Sequence, residues 1–444
     1  MRARANPYMW RARHAGSIPP MNPLYVSDHL QLGASSYGGT VPLAREARRR
    51  HLYVLGQTGT GKSTLLLNLI IQDIIAGKGV AILDPHGDLA EAILRYIPRW
   101  RANDLVYLNP TDLSRPIGFN PLSRIPDDLK PMTADGIVAS FRHVWPDSWG
   151  PRLDYILTHA IRALLDIPGG TLLMLPRLLI DTRYRTQAID RHVRDPIIRA
   201  FWLNEYAGYS DHFRTEVIAP IQNKIGKALM APALRNMLAQ PSATITPRRL
   251  IDERAVLICN LSKGTLGEST AHLIGALLVT AIAQAALSRA DIHADDRVPF
   301  HLYVDEFQSF ATDGFSLILS EARKYALTLT LGHQYLDQLP DNLRSAIFGN
   351  AGSILACRTG ATDAPQLARE IGLQSGEAIL DLPNFAAWAR LLHDGVPTSP
   401  IRINLFDAPH PYRNNADRLI ALSRSRFGRD RTGVEEKIAQ FLQS

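Results

Sequence analysis

A glycine-rich stretch around residue 60 constrains the fold of this chain more than any other feature. It follows a short apolar run, Leu52–Leu55, and leads into helix-forming residues from Thr64 onward. The spacing is G-x-x-x-x-G-K-S, in which glycines let backbone N–H groups turn inward and a helix N-terminus adds partial positive charge. A buried strand, a phosphate-binding loop and a helix are therefore expected in that order. The residues expected to surround the phosphates are Gly56, Gln57, Thr58, Gly59, Thr60, Gly61, Lys62, Ser63 and Thr64.

Two side chains of this loop suit a nucleoside triphosphate that is bound together with magnesium. Lys62 is expected to reach the β- and γ-phosphates, and the hydroxyl of Ser63 is expected to hold Mg²⁺. The alternative is a chance glycine-rich turn that binds nothing. The strand before the loop and the helix after it favour the phosphate-binding interpretation.

The charge balance permits an anionic partner without identifying one. Lys and Arg total 49 against 42 Asp and Glu, which gives a net charge of +7. Most of the basic residues are Arg, whose guanidinium suits bidentate phosphate contacts and ion pairs between subunits. A genome rich in G and C, which favours Arg codons, explains the same composition.

Neither the cysteines nor the apolar segments indicate a secreted or membrane-spanning chain. Cys259 and Cys357 lie in apolar runs, which favours buried thiols over a disulfide framework or a zinc site. Residues 1–20 are rich in Arg and lack an apolar core, so they do not read as a secretory signal. The most apolar segment, residues 273–283, is too short to span a bilayer and is expected to form a buried helix. We therefore expect a soluble, cytoplasmic protein.

Strands and helices alternate on both sides of a long helical segment. Short apolar runs occur at residues 52–55, 79–83, 105–108, 254–260, 300–304, 327–331 and 353–357. Their alternation with amphipathic helices predicts an α/β fold with a mainly parallel sheet. Between about residues 125 and 250 apolar residues recur at helical spacing, and prolines up to Pro220 punctuate the chain, which predicts an inserted all-α domain. Residues 30–43 are expected to form a hairpin, and residues 388–405 a second one on an edge of the sheet.

The chain is expected to divide into five parts. They are a flexible N-terminal segment (1–29), the first part of the sheet domain (30–124), the all-α insert (125–250), the second part of the sheet domain (251–410) and a helical C-terminal tail (411–444). In the tail a basic run precedes residues 434–442, which have the spacing of a short amphipathic helix.

Two acidic residues follow the predicted strand at residues 300–304. Asp305 and Glu306 come directly after its apolar residues, in the Walker B pattern. Because the carboxyl ends of parallel strands share one edge of a sheet, Asp305 is expected to hold Mg²⁺ opposite Ser63. Glu306 is expected to orient and polarise the attacking water. The alternative is a solvated acidic turn, which a phosphate loop in register with the pair disfavours.

Gln334 and Asp84 follow two other predicted strands. The amide of Gln334 can donate to a γ-phosphate and accept from water, and the alternative is a plain loop glutamine. Asp84 is expected to tune the magnesium shell or to hold Lys62, and a solvated turn aspartate is a comparable alternative. His86 lies between Asp84 and Asp88, and one histidine with two aspartates gives only weak support for a separate metal site.

Phosphoryl transfer gains much from a positive charge that a neighbouring subunit supplies. Arg323 is the candidate for this role, because it lies at a helix end after the Walker B strand. A solvated helix terminus is the alternative. Arg254 and Arg358 are further candidates.

Taken in order, the motifs resemble one protein family. They are GQTGTGKST, DPHGD, PIGFNPL, the helical insert, NLSKGTLGE, VDEF and EARKYALTLTLGHQYLDQL. Together they resemble the HerA/FtsK superfamily and, within it, the DNA-binding ATPases of type IV secretion, the conjugative coupling proteins. The resemblance covers roughly residues 30–405, and the ordered set is more specific than any single motif.

The resemblance implies a RecA-like core with an inserted all-α domain, assembled as a hexameric ring. It implies ATP and Mg²⁺ at the subunit interfaces and DNA moved through a central channel by hydrolysis. Lys62 and Ser63 match the Walker A positions, and Asp305 and Glu306 match Walker B. Gln334 matches the sensor, and Arg323 matches the trans arginine of HerA-like motors.

One departure from the family bears on the biological role. Coupling proteins usually carry N-terminal transmembrane helices, and no such segment is read in this sequence, so a soluble plasmid, phage or repair motor fits as well as a secretion motor with secretion or relaxase partners. Two other functions stay open. One is an ATP-switched, DNA-binding assembly module that does not translocate, and the other is a packaging ATPase for viral genomes.

Overall fold

The strands expected from the sequence assemble into one large sheet. The computed structural model describes residues 29–36, 38–312, 314–411 and 415–443, so the segment expected to be flexible, 1–29, lies outside the described residues except for its last residue. The strands are β1 (Leu30–Ser35), β2 (Thr40–Leu43), β3 (Leu52–Leu55), β4 (Gly79–Asp84), β5 (Leu105–Leu108), β6 (Val256–Asn260), β7 (Phe300–Val304), β8 (Leu327–His333), β9 (Ser353–Cys357), β10 (Ala386–Arg390), β11 (Leu392–His393), β12 (Val396–Pro397) and β13 (Ile401–Leu405).

Eleven strands form the sheet in the order β2-β1-β13-β10-β9-β3-β8-β7-β4-β6-β5, and β11 pairs with β12 separately. The strands from β9 to β5 run parallel to one another. Every residue of these parallel strands is buried, because helices cover both faces, and this explains why they read as continuous apolar runs. The predicted α/β fold with a mainly parallel sheet is confirmed.

The other four strands of this sheet extend it on one side in antiparallel pairing, and they are β1, β2, β10 and β13. β1 and β2 form the expected hairpin at the outer edge. β10 and β13 also pair with each other as expected, but their predicted place on an edge is wrong. β10 pairs with β9, and β13 pairs with β1, so this pair joins the parallel strands to the edge hairpin.

Helices pack on both faces of the sheet. They are α1 (Arg45–Arg48), α2 (Lys62–Ile75), α3 (Asp88–Leu94), α4 (Lys130–Val144), α5 (Pro151–Asp166), α6 (Leu175–Ile180), α7 (Thr182–His192), α8 (Pro196–Ala200), α9 (Asp211–Ile221), α10 (Lys227–Met230), α11 (Pro232–Leu238), α12 (Pro247–Asp252), α13 (Lys263–Leu266), α14 (Glu268–Leu287), α15 (Phe315–Glu321), α16 (Asp341–Asn350), α17 (Ala364–Ile371), α18 (Glu377–Leu380), α19 (Ala416–Phe427) and α20 (Arg431–Gln443).

Two apolar clusters lie on the two faces of the sheet. The first contains the buried residues of α2 and α3. The second contains those of α4, α5 and α14 and continues through the helical segment. Among the described residues, one helix, Glu268–Asp291, is long and apolar enough to cross a membrane, and 78% of its most apolar window is buried inside the fold. This burial fits the helix expected within the core.

The regular elements between residues 127 and 252 are all helical, as the sequence predicts. Pro220 does not separate two helices, however, because it lies inside α9. A proline has no backbone N–H and cannot donate the usual helical hydrogen bond. The helical path continues directly after α9 in a π-helical turn, Gln222–Gly226, in which the hydrogen-bond pattern differs from that of an α-helix. The division of the chain at residues 124 and 250 stays a prediction.

The C-terminal tail contains more helix than its sequence suggests. The predicted amphipathic helix at residues 434–442 is present as α20. The first part of the basic run before it belongs to a further helix, α19. Few residues of α19 are buried, namely Leu419 and Ser423, so its apolar periodicity is weak.

Both cysteines are buried free thiols in strands, as expected. Cys259 lies in β6 and Cys357 in β9. Burial raises the pKa of the Cys357 thiol to about 12, so it stays protonated at neutral pH.

A buried histidine, His51, connects a helix to the sheet in its neutral form. Its Nε2 donates to the carbonyl oxygen of Leu319 in α15 at 2.9 Å, and its Nδ1 accepts from the backbone N–H of Leu329 in β8 at 3.1 Å. Burial lowers the pKa of His51 to about 4, and the nearby charge of Arg323 acts in the same direction.

The depressed pKa of His51 predicts a loss of stability in acid. The unfolded chain takes up a proton near pH 6.5 and the folded chain only near pH 4, so the contribution to stability is present above pH 6.5 and is lost as the pH falls towards 4. The loss is on the order of 3 kcal/mol. The variant His51→Asn, which tolerates the left-handed backbone there, is expected to be less stable at pH 7.5. Denaturant unfolding should show the difference from wild type shrinking with acidity, whereas a constant difference would contradict the assignment.

Candidate functional site

The glycine-rich loop between β3 and α2 has the backbone that its sequence predicts. Gly59 and Gly61 adopt left-handed conformations with φ of +79° and +106°. At Gly56 a Cβ atom would lie 2.6 Å from Cβ of Cys357, so no side chain fits. α2 begins at Lys62, and the first N–H groups of a helix have no partner within it. The loop therefore presents free backbone donors and a helix N-terminus at one point.

Neighbouring segments hold this loop in place. The N–H of Gln57 donates to the carbonyl oxygen of Arg358 at 3.0 Å, and the hydroxyl of Thr60 donates to the carbonyl oxygen of Gln57 at 2.7 Å. The N–H of Phe385 donates to the carbonyl oxygen of Thr60 at 2.9 Å. The phosphate-binding shape is thus fixed by the carboxyl end of β9 and the segment before β10.

Lys62 is buried and contacts both acidic residues that follow β7. Its Nζ donates to Oε1 of Glu306 in a short hydrogen bond and lies 3.3 Å from Oδ1 of Asp305. All three side chains are almost fully inaccessible to solvent. Two buried carboxylates need a nearby cation, and Lys62 supplies it in this conformation.

The backbone of Glu306 turns its carboxylate towards the loop. Its φ of +46° is left-handed, which is uncommon for a residue with a side chain and is found where a site requires it. Burial alone would raise the pKa of Glu306, but Lys62, with hydrogen bonds from Gln308 and Gln334, outweighs burial and lowers it. At Asp305 burial prevails over Lys62 and raises the pKa. Glu306 is therefore an ionised acceptor over the physiological range.

Gln334, which follows β8, connects the glycine-rich loop to Glu306. Its Nε2 donates to Oε1 of Glu306 at 2.7 Å, and its Oε1 accepts from the hydroxyl of Thr58 at 3.3 Å. The ends of β3, β7 and β8 thus bring Lys62, Glu306 and Gln334 into one contact group, as the strand-end argument predicts.

Ser63 and Asp305 fit a magnesium ion by the chemistry of their oxygens. Ser63 lies exposed in the first turn of α2, directly after Lys62, and Asp305 contacts the same lysine. Hydroxyl and carboxylate oxygens are hard ligands of the kind that Mg²⁺ binds beside phosphate. The described residues contain no cluster of three or more His, Cys, Asp or Glu that could hold a metal by itself.

The structure corrects the expectations for Asp84. It is buried and accepts hydrogen bonds from the backbone N–H groups of His86 and Ala90, both at 2.9 Å, so it is not a solvated turn residue. It does not hold Lys62 either, which contacts Glu306 and Asp305 instead. Asp84 shapes the start of α3, and its effect on the site is electrostatic, because its charge contributes to raising the pKa of Asp305.

The three arginines considered from the sequence lie in different places. Arg323 is exposed and lies before β8, in a shallow basic pocket with Arg49, Arg50 and Lys324. β8 separates it by roughly 20 Å from the Lys62 edge, at about 3.3 Å per residue, so it cannot serve its own site. Arg254 also lies at the amino end of a strand.

Arg358 lies on the same side of the sheet as the glycine-rich loop. Its guanidinium donates to Oδ1 of Asn384 at 2.7 Å and to the carbonyl oxygen of Leu382 at 3.2 Å. Through these two hydrogen bonds Arg358 holds the segment that lies beside the glycine-rich loop.

Two residues near the site did not emerge from the sequence. Gln308 donates to Oε2 of Glu306 at 2.9 Å. Phe385 adopts a left-handed backbone and lies against Gly61. The sequence does contain a signal for Gln308, because this residue lies only two positions after Glu306. Phe385 has no such signal, because its place depends on pairing between distant strands.

The comparisons with known proteins bear on the fold. The family model described as "Helicase HerA, central domain" matches residues 35–133. A search of curated protein sequences finds no match. Of solved structures, the bacterial conjugative coupling protein TrwBdeltaN70 in its unbound form is 15% identical with a TM-score of 0.62, over 87% of this chain and 91% of that chain.

Two further solved structures extend this likeness. The plasmid coupling protein TrwB in complex with the GTP analogue GDPNP is 17% identical with a TM-score of 0.62, over 87% of this chain and 91% of that chain. VirB4 of Thermoanaerobacter pseudethanolicus is 15% identical with a TM-score of 0.55, over 86% of this chain and 97% of that chain. These likenesses confirm the RecA-like P-loop fold. The family model supports the resemblance to HerA over residues 35–133.

Proposed function

We propose that this chain, a P-loop protein of HerA/FtsK type, is an ATPase that uses hydrolysis to move DNA. One observation carries the proposal more than any other. Lys62 from the glycine-rich loop, the Glu306 carboxylate and the Gln334 amide form one hydrogen-bonded group at the carboxyl edge of a parallel sheet. This is the set of groups that gripping a triphosphate and guiding a water onto it requires.

The roles of the side chains follow from these contacts. Lys62 exchanges its carboxylate partners for phosphate oxygens, and Asp305 and Ser63 then face the magnesium position. Bound MgATP supplies the γ-phosphoryl group that water attacks. Glu306, which its neighbours keep ionised, accepts a hydrogen bond and then a proton from that water. Gln334 touches both Glu306 and the loop, so its amide can respond to whether a γ-phosphate is present.

Assembly into a ring is proposed from the place of Arg323. An exposed arginine at the amino edge of the sheet cannot reach its own nucleotide, but it can reach one held at the carboxyl edge of a neighbour. A hexamer is the ring that the superfamily resemblance implies. It would place nucleotide at each subunit interface.

DNA is the proposed partner, and conjugative or type IV secretion transfer is the proposed setting. The solved structures with this fold include a conjugative coupling protein and a VirB4 protein. The net charge of +7 is compatible with a phosphate backbone as the partner. The protein is proposed to act in the cytoplasm.

ATP turnover with and without DNA tests the proposal. DNA is expected to raise turnover several-fold at about 50 mM salt, and the stimulation should fade as salt rises to about 200 mM, because salt competes with the protein for phosphate contacts. Turnover without DNA should change much less over the same range. ATP turnover that DNA never alters would instead favour an ATP-switched assembly module.

A further inference from the structure

The catalytic carboxylate has a third hydrogen-bond partner besides Lys62 and Gln334. Both of those bind Oε1 of Glu306. Among the described residues Gln308 alone binds the other oxygen, Oε2, through its Nε2 at 2.9 Å. The two carboxylate oxygens are therefore held from different sides.

The backbone that carries Gln308 is fixed. Gln308 lies in the 3₁₀ turn Phe307–Ser309. Side chains from α4 and α13 bind Ser309 in this turn. Nε2 of His143 in α4 donates to the carbonyl oxygen of Ser309 at 3.1 Å, and Nζ of Lys263 in α13 donates to its hydroxyl at 2.9 Å. The backbone that follows Gln308 is thus anchored by side chains from two helices.

Gln308 also lines a cavity in the described part of the chain. The cavity, of about 1090 Å³, lies between α4, α5 and the segment that follows β8. Its other walls include Arg142, Trp149, Tyr155 and Gln338. Because Nε2 of Gln308 faces a carboxylate, the amide cannot flip, and its Oε1 is left buried without a hydrogen-bond partner among the described residues. The bond to the carboxylate therefore fixes which way the amide points.

We propose that Gln308 is a positioning residue that fixes the orientation of the Glu306 carboxylate during hydrolysis. The inference rests on the hydrolytic role proposed above for Glu306. When Lys62 turns to the phosphates, Gln334 holds one carboxylate oxygen and Gln308 holds the other, so the group keeps a single plane.

The test compares Gln308→Met with Gln187→Met, a change of the same kind at an exposed glutamine of α7, outside the site. Loss of the hydrogen bond is expected to lower kcat for ATP on the order of ten-fold, while KM changes by less than about two-fold. Lys62, Asp305 and His333 also act on this carboxylate and are unchanged in both variants. Gln187→Met should match wild type.

A second variant keeps the test decisive if methionine disturbs folding. Gln308→Asn retains an amide that is one methylene too short to reach Glu306, and it is expected to show the same loss of kcat with the same nearly unchanged KM. Wild-type kcat in either folded variant, or a loss that lies in KM and not in kcat, overturns the positioning role. A wild-type protein that hydrolyses no ATP, or normal hydrolysis by Glu306→Gln, would overturn the proposed function instead.

Discussion

Glu306→Gln is expected to bind ATP normally and to lose turnover by a factor of about 10² to 10⁴, the usual contribution of a general base. Glutamine has almost the same shape, and its carbonyl oxygen can still accept from Lys62 or Gln308. It cannot take a proton from water. Asp305 remains beside Lys62, so the cation stays paired and the fold should tolerate the change.

Steady-state phosphate release and nucleotide binding, measured on the same preparation, check this result. Glu377→Gln is a suitable control, because Glu377 is an exposed acid at the start of α18, away from the Lys62 contacts. Normal hydrolysis in Glu306→Gln would remove Glu306 from the mechanism, and a loss of binding would show that its main role is structural.

Arg323→Ala is expected to lower turnover about 10³-fold while leaving nucleotide affinity nearly intact, because a trans arginine acts on charge that develops in the transition state. Lys324→Ala is the matched control. It removes a positive charge from the same exposed turn, but Lys324 is paired with Glu321 at 2.7 Å. That control should keep most of the activity.

Mixing the two inactive variants distinguishes a trans role from a local one. A ring that contains both Arg323→Ala and Glu306→Gln subunits has some interfaces with an intact Glu306 on one side and an intact Arg323 on the other. These interfaces should hydrolyse ATP, so activity should return on mixing. If fluorescently labelled subunits exchange and activity does not return, Arg323 does not act across the interface.

The parallel part of the sheet was predictable because strands that are buried on both faces consist of continuous apolar runs. Strands such as Leu105–Leu108 consist of apolar residues only, and polar groups follow directly where several of them end. The sharing of one edge by the carboxyl ends of parallel strands then placed Lys62, Glu306 and Gln334 together. That prediction of proximity is confirmed, although their catalytic roles stay a proposal.

What could not be predicted depends on pairing between distant parts of the chain. The place of β13 between β1 and β10 follows from long-range register, which local pattern does not contain. The burial of Asp84 has a similar cause, since the N–H groups that bind it become available only when α3 starts where it does. A polar residue after a strand indicates the site edge, but it does not say whether its side chain faces a ligand or its own backbone.

The apolar cluster shared by the sheet and the helical segment limits how this chain can be dissected. Side chains of β4 and β7 belong to the same cluster as those of α4, α5 and α11, so one core serves both regions. Excising residues 125–250 would expose the apolar side chains on that face of the sheet, and the remaining fragment would be prone to aggregate. Recombinant study of the nucleotide site should therefore begin from the whole chain, with point substitutions in place of truncations.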